Sequence, residues 1–170
     1  EEKNIEHVSL LDYDNSRNYR FLVASRDGNL WIYDKSGTNL EGWQPRRVEG
    51  RLMTPPRHHR LLGKDYMFAI RADGKVYLMN RRGELLPNFP LDLDARLAGD
   101  YYITRGRTAA ETTITVVARD GWRITFNLQG KVLSREVLVK TSLDAKFSLC
   151  SDSDGKSYLI VRQEAAHFTV

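Results

Sequence analysis

The residues able to do chemistry in this 170-residue chain fall into a few short clusters. The loop DYDNSR, residues 12–17, sets oxygen donors at alternating positions on Asp12, Asp14 and Ser16, and SDSDGK, residues 151–156, repeats the pattern with Asp152, Ser153 and Asp154. Alternating carboxylate and hydroxyl oxygens are what a calcium loop uses to surround a hard cation. The same residues also close ordinary Asx turns, so calcium is one expectation and a plain turn the other. The run Arg57, His58, His59, Arg60 offers guanidinium and imidazole groups. Neighbouring side chains of a strand point to opposite faces, so the two histidines do not share one metal, and the run reads instead as a cationic lining for an anion. Trp43 and Trp122 fall in turn regions, as exposed indoles available for ligand contact. Cys150, the lone cysteine, lies in an apolar stretch and reads as packing rather than as a nucleophile. No Ser, His and Asp constellation stands out, so no catalytic residue is assigned.

Composition narrows the class. Hydrophobic residues make up 41% of the chain and charged residues 28%, with a net charge of +4, as in a folded globular protein. Much of the positive charge lies in RRVEGRLMTPPRHHR, residues 46–60. Arginine is otherwise spread over the whole chain, so this stretch reads as a solvated loop entering a strand, and no nucleic-acid partner is expected. No apolar run approaches the ~20 residues of a membrane-spanning helix, and no direct membrane insertion is expected. A single cysteine excludes an internal disulfide framework. The ends, EEKNIEHVSL and AAHFTV, read as cuts in a longer protein.

The elements that must position these clusters show in a repeat. Asp27, Asp73 and Asp120, each followed by Gly, stand 46 and 47 residues apart. Seven residues beyond each comes Asp34, Asn80 or Asn127; ten beyond, Gly37, Gly83 or Gly130; thirteen beyond, Leu40, Leu86 or Leu133. Asp-Gly between apolar runs suits a two-residue type I′ hairpin turn, and Asp or Asn three residues before Gly suits a wider turn. With Asp27 and Gly28 at the tip, Ala24 faces Trp31 and Leu22 faces Tyr33. The same offsets pair Ile70 with Tyr77, Phe68 with Met79, Val117 with Ile124 and Thr115 with Phe126, placing Trp31, Tyr33, Tyr77 and Phe126 on a core face. A fourth copy, without Asp-Gly, has Glu164 and Ala165 at its turn and pairs Val161 with Phe168 and Leu159 with Val170.

A further strand precedes each hairpin, in HVSLLDY, PRHHRLL, DYYITR and KFSLCS. Units of four short antiparallel strands recurring about every 45 residues are the blades of a β-propeller. The expected fold is therefore all-β: a single propeller fragment over 1–170 with about three and a half blades. They are blade 1 over 5–45, blade 2 over 51–91, blade 3 over 98–138 and a partial blade 4 over 144–170. Open sheets at the ends of such a fragment favour self-association.

FLVASRDGNLWIYDKSGTNLEGW resembles a repeat of the quinoprotein-like propellers, and DYDNSRNYRFLVAS with GELLPNFPL is similar to the FG-GAP (VCBS) class of bacterial propellers. The resemblance implies a non-catalytic scaffold or interaction module, periplasmic, cell-surface or secreted, that binds a protein, matrix or glycan ligand through its loops. The alternative it implies is a carbohydrate-binding or carbohydrate-active propeller whose active residues lie in blades outside this chain. The second copy has ELLPNF where a quinoprotein repeat ends on Trp, so no quinone cofactor is expected, and calcium is the only ion the loops suggest.

Overall fold

The computed structural model describes residues 4–13, 16–139, 142–152, 154–164 and 167–170. Among them every regular element is a strand, and the strands form four antiparallel sheets in chain order. The first sheet is β1 (Ile5–Leu11), β2 (Arg20–Ser25), β3 (Asn29–Tyr33) and β4 (Arg46–Arg47). The second is β5 (Arg57–Leu61), β6 (Lys64–Ile70), β7 (Lys75–Met79) and β8 (Leu91–Asp92). The third is β9 (Tyr102–Thr104), β10 (Thr113–Val117), β11 (Trp122–Asn127) and β12 (Val132–Val137), and the last is β13 (Lys146–Ser151), β14 (Tyr158–Glu164) and β15 (His167–Thr169). Each sheet falls in one of the four segments expected from the repeat, except that β4 and β8 run one or two residues beyond the expected ends. The contacts divide the chain into two compact units, Glu1–Arg71 with Val76–Leu91, and Ala72–Lys75 with Asp92–Val170.

The Asp-Gly hairpins differ from the expected type I′ turn. Ala24 lies opposite Leu30, Leu22 opposite Ile32, Val23 opposite Trp31 and Phe21 opposite Tyr33. The loop therefore has three residues, 26–28, and Gly28 N–H bonds Ser25 O at 2.9 Å with Gly28 at φ 86°. This is a type I turn closed by one left-handed residue. It spares Asp27 the positive φ that type I′ would demand and lets its carboxylate accept bonds from the Ser25 hydroxyl and the Asn29 side-chain amide. Ala69 opposite Tyr77 and Ile114 opposite Phe126 show the same one-residue offset. In β14 and β15, Gln163 lies opposite Phe168, so the expected pairing of Val161 with Phe168 moves by two.

An odd shift reverses which side chains share a face. Leu22, Ala24, Leu30 and Ile32 now lie together and pack on Met67, Ala69, Tyr77 and Met79 of the second sheet. Each fully buried aliphatic side chain of this kind contributes about 1.5–3 kcal/mol. Trp31 and Tyr33, expected in the core, are half-buried on the other face, whereas Tyr77 and Phe126 are buried as expected. In the second unit Val117 packs with Ala145, Phe147 and Leu149.

The wider turns follow expectation. Asp34 accepts from the backbone amides of Ser36 and Thr38, both at 2.9 Å. Asn80 does so from Arg82 and Glu84, and Asn127 from Gln129 and Lys131. One side-chain oxygen spanning the turn explains why only Asp or Asn fills this column.

Candidate functional site

Because strands alternate in direction, the connection after β1, the turn after β5 and the turn after β7 all leave their sheets at one end. In the first unit these three segments bring together Tyr13, His58, Arg60, Asp65 and Arg81, with Arg20 at the start of β2. Asp65 sits at the centre, its carboxylate only 6% exposed. His58 Nε2 lies 2.8 Å from Oδ1, Arg60 Nη1 donates to both oxygens at 3.2 Å, and Arg81 Nε pairs with Oδ2. Arg60 Nη1 also reaches Tyr13 O at 3.3 Å.

Tyr13 is the apolar half of the cluster. Its buried ring takes the Arg81 guanidinium at 4.4 Å and that of Arg20 at 4.8 Å from its centroid, with the His58 ring edge-on at 5.1 Å. Cation–π attraction and carboxylate pairing therefore hold the same Arg81 side chain. The Tyr13 hydroxyl is buried with no hydrogen-bond partner. Burial pushes its pKa up to about 12, against the opposing pull of Arg20 and Arg81 and with a further push from Asp65. Burial outweighs the two nearby cations. The outer guanidinium groups remain accessible, Arg60 at 49% and Arg81 at 51%.

The run Arg57–Arg60 is divided between two faces, as expected for a strand. His58 and Arg60 join this cluster, while His59 packs edge-on against Phe68 at 5.2 Å on the opposite face, which Arg57 shares by alternation in β5. Trp43 corrects the expectation of an exposed indole. It is 8% exposed and its Nε1 donates to Leu30 O at 3.1 Å, closing the core where the 40–45 segment folds back. Phe89, also sixteen residues beyond its Asp-Gly aspartate, is buried too, a spacing the sequence already carried. Trp122 is exposed at the start of β11. Cys150 is exposed rather than packed.

At the acidic loops, Asp12 Oδ2 accepts from Arg17 N at 3.0 Å, Oδ1 is buried without a hydrogen-bond partner, and Ser16 Oγ accepts from Asn18 N at 3.4 Å. Asp14 and Ser153 lie outside the described residues. Asp152 Oδ2 accepts from Ser157 Oγ at 2.9 Å, and Asp154 accepts from Lys156 N at 3.0 Å with Lys156 Nζ 3.4 Å away. Gly155 N–H closes on Asp152 O at 2.9 Å, the turn seen at Asp34 and Asn80. Among the described residues no three His, Cys, Asp or Glu side chains converge as a metal set would.

Sequence reasoning missed Tyr13, Arg20, Asp65 and Arg81. The sole hint was a carboxylate placed directly before the apolar run of β6. No family model and no curated protein sequence matches the chain. Solved structures do match. BBS1N in complex with ARL6DN aligns with a TM-score of 0.55 at 13% identity, over 94% of this chain and 51% of that one. The computationally designed Ika4 protein aligns with a TM-score of 0.54 at 14% identity, over 94% and 91%. BamB from Moraxella catarrhalis is similar at 22% identity with a TM-score of 0.49, over 92% and 42%. The fold is an all-β propeller fragment. The chain spans about half the length of the BBS1N chain it matches.

Proposed function

We propose that this propeller fragment is a non-catalytic interaction scaffold that takes an acidic, carboxylate-bearing segment of a protein partner at the Tyr13–Asp65 cluster. The observation that carries this reading is the pair of half-exposed guanidinium groups anchored from beneath by one buried carboxylate. Arg60 and Arg81 share the single Asp65 carboxylate and Arg20 lies over the Tyr13 ring, so three guanidinium groups surround one carboxylate. Groups already fixed by pairing and stacking lose little side-chain entropy on binding, and their planar forks suit carboxylates. BBS1N, a propeller of this fold, is solved with the protein ARL6DN, which supports a protein as the partner class. The quinoprotein-like or FG-GAP class and an envelope or secreted location belong to the same proposal, through the sequence resemblance alone.

Fluorescence anisotropy with a labelled Glu-rich peptide tests it. Binding that weakens with added salt, and weakens at least about tenfold in Arg60→Gln/Arg81→Gln, is expected. A folded wild type that ignores the peptide, or a double variant that binds equally well, overturns it.

A further inference from the structure

The third copy of the repeat departs from the first two at one position. Sixteen residues beyond each Asp-Gly aspartate stand Trp43, Phe89 and Glu136. Trp43 and Phe89 are each 8% exposed, and the chain folds back at both, with Trp43 N–H on Leu40 O and Phe89 N–H on Leu86 O at 3.1 Å. The outer strands that follow, β4 and β8, are only two residues long. A carboxylate cannot take that buried place without a large desolvation cost. Glu136 instead lies at the surface, paired with Arg123, and its segment runs straight on as the six-residue strand β12. Short outer strands keep a sheet from pairing with other chains, and a long one invites it.

β11 and β12 lie within one compact unit and in a repeat internal to the sequence. Among the described residues β12 has a single strand neighbour, β11. Trp122 lies opposite Val137 and Arg123 opposite Glu136, and one step further Leu138 N–H bonds Gly121 O at 2.8 Å. Bonded and non-bonded pairs alternate along an antiparallel ladder, so Ser134 and Glu136 turn their backbone groups to β11, while Arg135 and Val137 turn theirs outward. The register shifts by one residue at Leu133, which ends this regular stretch. Beside the open edge Val137 is 63% exposed and its neighbour Trp122 36%. Arg135 is exposed and donates to the Leu93 carbonyl, and among the described residues no carboxylate pairs with it.

An open edge takes an extended chain by main-chain pairing, and the side chains along it set which chain fits. Arg135 favours a carboxylate directly opposite, and Val137 with Trp122 favours an apolar side chain. A second copy of this chain fits poorly. Two-fold antiparallel pairing sets one residue against itself: centred on Arg135 it opposes two guanidinium groups, on Glu136 two carboxylates, and on Ser134 it sets Leu133 against Arg135. We infer that β12 receives an extended segment of a protein partner as a further antiparallel strand of the third sheet, with an acidic side chain on Arg135 and an apolar one, two residues away, against Val137 and Trp122. This site is separate from the acidic-segment site of the first unit and uses neither Arg60 nor Arg81.

Fluorescence anisotropy tests it with a labelled seven-residue peptide, Thr-Val-Thr-Glu-Thr-Val-Thr, which sets valine two positions to either side of glutamate. Saturable binding is expected. N-methylation of the glutamate amide, which faces the edge, should abolish it, whereas N-methylation of the threonine after glutamate, whose amide faces away, should not. Folded Arg135→Glu is expected to bind about tenfold more weakly or worse, and a peptide with lysine in place of glutamate should recover the loss. Val137→Pro removes an outward N–H at a position an edge strand tolerates, and should weaken binding to a similar degree. A folded wild type that ignores the peptide overturns the inference. So does Arg135→Glu binding the glutamate peptide as the wild type does, or the N-methyl glutamate peptide binding as well as the parent. A wild type that elutes as a dimer while Val137→Pro elutes as a monomer also overturns it, because a second copy then holds the edge. The Arg60→Gln/Arg81→Gln chain should bind this peptide as the wild type does, so the two proposals fail separately.

Discussion

The loop ends of the two units share one topology and settle their polar groups in opposite ways. In the first, the Asp65 carboxylate is buried and serves His58 and Arg60 of β5 and Arg81 of the turn after β7, beside a buried Tyr13 ring. In the second, polar groups bond mostly at the exposed surface: Asp152 takes the Ser157 hydroxyl, Asp154 takes the Lys156 amide, Ser151 Oγ meets Asp100 Oδ2 at 3.1 Å and Tyr102 donates to Lys156 O at 2.6 Å. The first arrangement fixes charged groups while leaving their outer edges in water, the feature on which the proposed acidic-segment site rests.

Removing the central carboxylate breaks this contrast most strongly. Asp65→Ala leaves His58, Arg60 and Arg81 crowded without their anion and is expected to cost about 3–5 kcal/mol in urea unfolding. Asp154→Ala, at the exposed turn, is expected to change stability by less than about 0.5 kcal/mol.

Alkali is next. The Tyr13 pKa is raised from 10.0 to about 12, so the folded protein holds that proton more tightly than the unfolded chain. The stability it contributes is complete below pH 10 and is lost as pH rises through about 12. Ultraviolet phenolate titration should show late ionisation from Tyr13 as well as from Tyr66, whose pKa burial also raises, and Tyr13→Phe should remove one tyrosine from that late phase.

The turns offer a smaller test. A Cβ on Gly83 would strike the Gln44 carbonyl and disturb the turn carrying Arg81, whereas one on Gly155 meets nothing within 4 Å. Both residues have positive φ, 77° and 67°. Gly155→Ala should cost about 1 kcal/mol from backbone strain alone, and Gly83→Ala about 1 kcal/mol more.

The tyrosines give the sharpest sign. Tyr13→Phe removes a buried hydroxyl that has no partner and should leave stability unchanged or raise it by up to about 1 kcal/mol. Tyr102→Phe removes a made hydrogen bond and should lower it by about 0.5–1 kcal/mol. Smallest of all is calcium. With Asp152 and Asp154 oxygens engaged in turn closure, millimolar calcium should move the melting temperature by less than about 1 °C.

Sequence alone determined the number and order of the sheets. The reason is local: Asp or Asn must span the wide turn with a side-chain oxygen, Gly must take positive φ at its close, and these demands recur wherever the strands do. It also placed His58 and His59 on opposite faces, since alternation along a strand needs no tertiary information. The hairpin register was not legible, because Asp-Gly serves both a two-residue and a three-residue loop, and the three-residue form shows only in the backbone closures of Gly28 N–H on Ser25 O and Gly121 N–H on Ala118 O. Nor was the cluster. Tyr13, Asp65 and Arg81 lie up to 68 residues apart in the chain, and they meet only because packing of one sheet on the next carries three separate loop ends into contact, which no local spacing encodes.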